Sequence, residues 1–404
     1  VSPAAVVPLS RAAAESRHWR ASGVLVLAAW GALILNVLSF NASVALVPVP
    51  QSLGQMITMG ALPFALLFAL MANPRVIVRP HMFMLLVTLL AVVALMVSLH
   101  NDFMVGSTFR AVRMLGFVAV LWLLTPWWGR RDMLLLRCHR TWLWAVLASV
   151  VLGALVAPGK AFEFEGRLAG VLWPIWPTQV AHYAAVLFGT TALLWLCRLI
   201  SGRYAVFALT VTGAILILTH TRTALLAVGV GLTLAAATLF LGHARVRRTS
   251  LLGVVTVLLL ATVFASQLTS WALRGQTPEE AGNLTGRTKV WEAVVDQQRS
   301  IVGDLFGSGM SDQSFEGLPI DSNWVATFFD QGWFGVVIEV VIILLLLLMA
   351  ATRERGPHRA IALFLVVYCM IASITETGLG IPSPYLLELT IAASLLTYQP
   401  RGPR

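Results

Sequence analysis

Residues Thr285–Gly335 read TGRTKVWEAVVDQQRSIVGDLFGSGMSDQSFEGLPIDSNWVATFFDQGWFG. This stretch holds much of the polar chemistry of a very apolar chain, and it lies between two blocks of hydrophobic runs. It opens with an arginine at the start of an amphipathic run. It closes on a polar Asp321-Ser322-Asn323 triplet just ahead of the next apolar segment. A polar island set between long apolar stretches reads as a large loop on one face of a membrane protein.

The rest of the composition agrees. Of 404 residues, 58% are hydrophobic and 11% charged, whereas soluble domains carry roughly a quarter charged residues. A soluble fold of this length has too little interior for so much apolar surface, so lipid is the expected solvent. Twelve apolar runs are candidates to cross it, near 22–40, 55–72, 81–98, 109–126, 140–157, 176–197, 204–219, 222–242, 250–267, 327–350, 358–375 and 384–398. The predicted fold is therefore all-α and polytopic, one membrane domain over 1–404 with about twelve transmembrane helices. A long extracytoplasmic loop, 269–324, is expected to contain amphipathic helices.

The net charge of +10 does not point to nucleic acid, because the arginines are spread between apolar runs and do not gather on one soluble face. Nineteen of the 28 Lys and Arg fall in alternate loops, including Arg130, Arg131, Arg245, Arg247, Arg353 and Arg359. That asymmetry places those loops and both termini in the cytoplasm. The first apolar run is too long for a cleavable signal, and no small-residue cleavage site follows it. Cys138, Cys197 and Cys369 are far apart, with neither metal-ligand spacing nor a disulfide framework. No metal and no cofactor are expected.

The outer cations are the unusual ones. Leu218-Thr-His-Thr-Arg-Thr-Ala-Leu-Leu-Ala227 joins two apolar runs through almost no loop and pins Arg222 at the outer membrane edge. A cation at that depth needs a partner or a wet cavity, although snorkelling to lipid headgroups is the commoner fate of such a residue. From Arg287, the residues Trp291, Val294 and Gln298 share one helical face, with Val290 and Val295 flanking it. An arginine in a first helical turn opposes the macrodipole unless an anion sits there to be shared. Arg110, Arg113 and Arg167 complete a set of five that would suit a diphosphate, since guanidinium binds phosphate oxygens bidentately. For acid–base work the outer face offers Asp321, His220, Glu376, Asp330 and Asp312. Asp321 or Ser322 is also a candidate N-cap. His182 reads as a packed or cavity-lining histidine, and Glu339 and Glu388 lie within apolar helices and need partners or water.

Four segments carry a family resemblance. LTHTRTALLA (218–227) resembles the arginine-bearing helix junction of the bacterial O-antigen ligase and O-antigen polymerase superfamily. GRLAGVLWPIWPTQVAHYAA (166–185) resembles its arginine, glycine and proline segment leading into a helix. LTGRTKVWEAVV followed by GSGMSD resembles its outer-loop arginine helix and glycine turn, and DSNWVATFFDQGWFG resembles its last polar and paired-glycine block. The set covers roughly Arg167 to Gly335, in the expected order.

The resemblance implies a metal-independent membrane glycosyltransferase of the bacterial cytoplasmic (inner) membrane, with a periplasmic active site. It would move a glycan from a polyprenyl (undecaprenyl) diphosphate carrier to an acceptor hydroxyl such as a lipid A-core sugar. Partners would be that donor, a lipid or glycan acceptor and membrane lipids, with no nucleic acid. Arg222 and Arg287 would grip the diphosphate and stabilise it as leaving group, with Arg110, Arg113, Arg167, His220 and Asn323 in the substrate-binding set. Ligases of the family commonly carry a histidine directly before the asparagine, where this chain has Ser322. Asp321 is the nearest substitute as base, and the departure shifts weight from ligase toward polymerase or a related glycan transferase. A lipid-linked oligosaccharide flippase is the competing class. It would use similar arginines but more often shows two related halves, and none is visible. A structural membrane subunit would leave the outer arginines unexplained.

Overall fold

The structure is a computed structural model that describes residues 9–100, 104–240, 244–264, 266–267, 269–270 and 287–397. Residues 271–286, the first part of the expected outer loop with its Thr285-Gly286 pair, lie outside the described residues. So do both chain ends, with Arg401 and Arg404.

Each of the twelve apolar runs coincides with a helix. They are α1 (Leu9–Val37), α2 (Gln51–Ala72), α3 (Met82–Ser98), α4 (Met104–Leu123), α5 (Leu134–Val156), α7 (Pro177–Leu196), α8 (Gly202–Leu218), α9 (Arg222–Leu239), α10 (Ala244–Val263), α13 (Asn323–Thr352), α14 (Pro357–Ala372) and α15 (Pro384–Leu396). A single turn, α6 (Pro158–Ala161), precedes α7, and two short helices, α11 (Arg287–Val295) and α12 (Ile301–Phe306), precede α13. Among the described residues, six helices, α2, α4, α5, α7, α9 and α13, are long and apolar enough to cross a membrane. Shorter apolar helices of 10–17 residues include α3, α8, α14 and α15.

The packing pattern is that of helices dissolved in lipid. On α2 the buried positions are mostly small (Gly54, Thr58, Ala61, Ala65, Ala69, Ala72), whereas Met56, Phe64, Leu67 and Met71 are exposed. Small residues let α1 and α2 approach closely, and large apolar ones face outward, where lipid tails cost them nothing. The same outward display appears as Val206 and Phe207 on α8, Leu226 on α9, and Leu344 and Leu348 on α13. Deep in the assembly lies α15, all of whose residues are buried. It packs against α14, which packs in turn against α9 and α7.

The run expected at 327–350 is not one straight span. Gly332 interrupts α13 with φ 62°, ψ −165°, leaving a short N-terminal piece and then a helix from 333 to 352, about 30 Å long at 1.5 Å per residue. The kink frees the carbonyls of Phe329 and Asp330, which a continuous helix would bond four residues on. Ser308 N and Gly309 N donate to them instead, at 3.0 and 2.9 Å. Gly307 (φ 77°) closes α12 against the backbone of Asp330, and Gly332 sits against the backbone of Leu305 and Phe306. A side chain at either position would overlap the other segment, so two left-handed glycines lock α12 to the kink.

Candidate functional site

Three chain segments meet where α9, α13 and α15 begin. The first is the loop before α7. Its Arg167 donates from Nε to the Thr219 carbonyl (3.0 Å) and from Nη2 to the Thr221 hydroxyl (3.2 Å), while Leu168 N donates to Leu218 O at 2.9 Å. Arg167 thus holds the α8–α9 turn, which needs holding: His220 has φ 50°, in the left-handed region that ordinary residues avoid. Thr221 is the extended N-cap of α9, and Arg222 is the first helical residue.

The second segment is the approach to α13. A two-stranded hairpin pairs β1 (Ser314–Phe315) antiparallel with β2 (Leu318–Pro319), Ser314 opposite Pro319 and Phe315 opposite Leu318. It delivers Asp321 to the start of the helix. The N-cap is Ser322, whose side chain makes no capping bond. Arg287, first residue of α11, bonds Asp321 from Nε to Oδ2 at 3.1 Å. The helical face shared by Arg287, Trp291 and Val294 was expected to run on to Gln298, but the helix ends at Val295. Val294 is its buried residue and packs with Ile320 and Ala326, flanked by Val290.

The third segment is the loop Ser373–Ser383 between α14 and α15. Asn323 fastens it. Its backbone N–H donates to the Ser373 and Glu376 carbonyls (3.0 and 3.1 Å), and its Oδ1 accepts from Gly378 N (2.9 Å) and Leu379 N (2.8 Å). Its Nδ2 donates to Glu339 Oε2, whose other oxygen accepts from Thr327 Oγ1 at 3.0 Å. Thr375 donates to Thr223 on α9 at 2.9 Å, and Thr377 donates to Gln313 at 2.7 Å. Asn323, expected to bind substrate, is 2% exposed and its amide is engaged within the protein at both ends. It staples the site together.

The result is a four-charge cluster of Arg167, Arg287, Asp321 and Glu376. Arg287 and Asp321 both act on the Glu376 carboxyl, and so do Arg167 and His182. Burial is the largest influence on Glu376 and pushes its pKa up to about 7, with Arg287 opposing that rise and Asp321 adding to it. Burial also holds Arg167 below its ordinary value; the carboxylates of Glu165 and Glu376 counter this and the Arg287 charge reinforces it.

The five arginines do not all gather there. Arg113 Nη2 donates to the Asn36 carbonyl (2.8 Å) and Oδ1 (3.3 Å), which ties α4 to α1. Arg110 lies within electrostatic range of Asp312 and Asp330. Asp312 is held below the usual carboxylate range, chiefly by its hydrogen bond from Ser314, with Arg110 assisting. Asp330 Oδ1 accepts from Ser311 N at 3.1 Å.

Further inside, Glu388 of α15 finds the partners its position demands. His182 Nε2 lies 2.7 Å from its Oε1 and His139 Nε2 lies 3.6 Å from the same oxygen. Trp30 donates to His139 Nδ1 at 3.2 Å. This network links α1, α5, α7 and α15. His139 carries no signal of its own in the sequence, because a histidine in a run beside arginines looks like one more inner-loop base. Among the described residues, no three His, Cys, Asp or Glu side chains are grouped to hold a metal ion. No family model matches the chain, and no curated protein is significantly similar to it.

Proposed function

We propose that the protein is an O-antigen ligase-like glycosyltransferase. It moves a glycan from a polyprenyl diphosphate carrier to an acceptor hydroxyl, such as that of a lipid A-core sugar, on the outer face of the bacterial cytoplasmic membrane. The observation that carries this reading is the meeting of Arg167 and Arg287 with two carboxylates beside the start of α9, where Arg222 stands. A helix start with arginines favours an anionic phosphate group, and a nearby carboxylate can take a proton from an acceptor.

In this reading the twelve apolar helices are twelve spans, both termini are cytoplasmic, and the residues between α10 and α13 form the periplasmic catalytic loop. The far ends of the helices support that orientation. There Arg353 donates to the Leu396 carbonyl (2.9 Å) and Arg245 to the Trp195 carbonyl (2.9 Å), so arginines cap the C-terminal ends of α15 and α7. Those ends carry the basic loops that belong in the cytoplasm. Arg222 and Arg287 act as the diphosphate clamp, with Arg167 and His220 beside them and Arg110 on α4, in electrostatic range of Asp312 and Asp330.

A second reading, a polymerase that uses the same donor to extend the glycan, is favoured by Ser322, which stands where ligases of the resembling family carry histidine. The test is transfer by purified protein from a polyprenyl diphosphate glycan to a defined acceptor, without nucleotide or added metal. A lipid-core acceptor that becomes glycosylated supports the ligase. A product that grows only by glycan repeats supports the polymerase. Movement of the intact donor across a vesicle membrane without transfer would replace both readings with a flippase.

A further inference from the structure

We propose that Glu376 is the catalytic base of this site and that Asp321, the carboxylate expected in that role from the sequence, instead positions Arg287. The proposal rests on the glycan-transfer reading and deepens it.

The geometry separates the two carboxylates. Asp321 is half-exposed and engaged: its Oδ2 faces Arg287 Nε at 3.1 Å. It therefore fixes where the guanidinium stands before an anion arrives. Glu376 sits on the most heavily tethered stretch of the site. Its own carbonyl accepts from Asn323 N, the preceding Thr375 is bonded to α9 through Thr223, and the following Thr377 is bonded to Gln313 ahead of the hairpin. The next two backbone N–H groups, of Gly378 and Leu379, are held by Asn323 Oδ1. A loop anchored to α9, to α13 and to the segment ahead of the hairpin within five residues holds its carboxyl in one place, which proton transfer from a bound acceptor requires.

The groups facing Glu376 are Arg287 of α11, Arg167 of the loop before α7, His182 of α7, Asp321 ahead of α13, Tyr368 of α14 and Tyr385 of α15. With its pKa raised by burial to about 7, this carboxyl both accepts and returns a proton at neutral pH. In the step, the acceptor oxygen bonds the anomeric carbon as its proton passes to the Glu376 carboxylate. The anomeric C–O bond to the diphosphate breaks, and its electron pair leaves on the diphosphate oxygen beside Arg222 and Arg287. The proton then passes from Glu376 to outer water.

The experiment compares wild type with Glu376→Gln, Glu376→Asp and Asp321→Asn in two assays. One is transfer from a panel of synthetic polyprenyl diphosphate mono- and disaccharides to sugar-glycoside acceptors, as a function of pH. The other is binding of undecaprenyl diphosphate alone, by calorimetry. Glu376→Gln should lose about a hundredfold or more in kcat, lack the rise in rate through pH 7, and bind undecaprenyl diphosphate like wild type. Glu376→Asp should keep a measurable rate with a displaced rise, which covers the case of a Gln variant that does not fold. Asp321→Asn should bind undecaprenyl diphosphate several-fold more weakly and keep the rise. Near-normal kcat with an intact rise in Glu376→Gln, or unchanged kcat and pH profile in Glu376→Asp, overturns the assignment. A rise abolished in Asp321→Asn returns the role to Asp321. Wild type that transfers nothing from any donor of the panel defeats the glycan-transfer reading, and this inference with it.

Discussion

Arg287 and Asp321 face each other at 3.1 Å, joining the first residue of α11 to the residue before the N-cap of α13. Their side chains are 29% and 39% exposed. A pair so open to solvent adds on the order of 0–1 kcal/mol to stability, so its importance lies in direction. It holds the Arg287 guanidinium beside Asp321, within electrostatic range of Glu376 and Arg167. An arriving diphosphate would exchange one carboxylate for several phosphate oxygens. Asp321→Asn should therefore leave the melting temperature nearly unchanged while it raises the KM for donor. Thermal unfolding in detergent and donor-dependent kinetics measure the two effects. A large fall in melting temperature would make the pair structural.

Arg222 and Arg287, the proposed clamp, should respond differently to lysine. Arg222 begins α9, between Thr221, which is tied to Arg167, and Thr223, which is tied to Thr375. Its backbone is thus fixed on both sides, whereas Arg287 rides on a nine-residue helix. Lysine keeps the charge but loses the planar fork. Loss of one charge-assisted hydrogen bond costs about 1.5–3 kcal/mol, or roughly one to two orders of magnitude in rate when the bond forms in the transition state. Arg222→Lys should fall by about that amount and Arg287→Lys by less, both with expression and melting temperature near normal. Full activity in Arg222→Lys would reject a bidentate clamp.

Much of this fold was legible because lipid simplifies the code. Every apolar run became a helix, and Arg287 does open a helix in the polar island. The kink at Gly332 was less legible. The DQGWFG sequence marks a glycine, but only the facing Gly307 shows that the break lets α12 dock. At the site, the residue types were readable and their pairings were not. Arg113 and Arg167 look alike in sequence, yet one binds a carbonyl of α1 and the other holds the α8–α9 turn. Glu376 stood among five acid–base candidates with nothing to single it out. Its neighbours come from α7, α11 and the approach to α13, and such contacts between distant segments leave no periodicity to read.

Asn323, named from its motif as a substrate-binding residue, also has a structural part in the site. Its side chain satisfies two backbone N–H groups and one oxygen of the buried Glu339 carboxyl. Asn323→Ala would leave those groups unmet, at about 1–3 kcal/mol for each buried group that stays unsatisfied. Its loss of stability should exceed that of any arginine variant. Combining Asn323→Ala with Glu339→Gln should cost less than the two single changes added together, since they share one contact. Denaturation of the four proteins in the same detergent measures the coupling, and strict additivity would show that the contact does not operate.

The last prediction concerns the stability cost of a raised carboxyl. Glu376 ionises near 4.5 when unfolded and at about 7 in the folded protein. Between those values the folded state binds more protons than the unfolded state, so its stability falls as pH rises through that window. The contribution is fully present below pH 4.5 and is lost once pH passes 7. Glutamine resembles the protonated carboxyl at every pH. The melting temperature of Glu376→Gln should therefore match wild type at pH 4.5, exceed it progressively up to about pH 7, and hold a constant lead above that. Subtracting the two melting curves removes the titration of other groups. A constant difference across the whole range would mean that Glu376 ionises at its ordinary value in the folded protein, with Arg167 and Arg287 offsetting its burial. A difference that grows through the window, together with reduced transfer at pH 7, would show stability given up for a base poised at working pH.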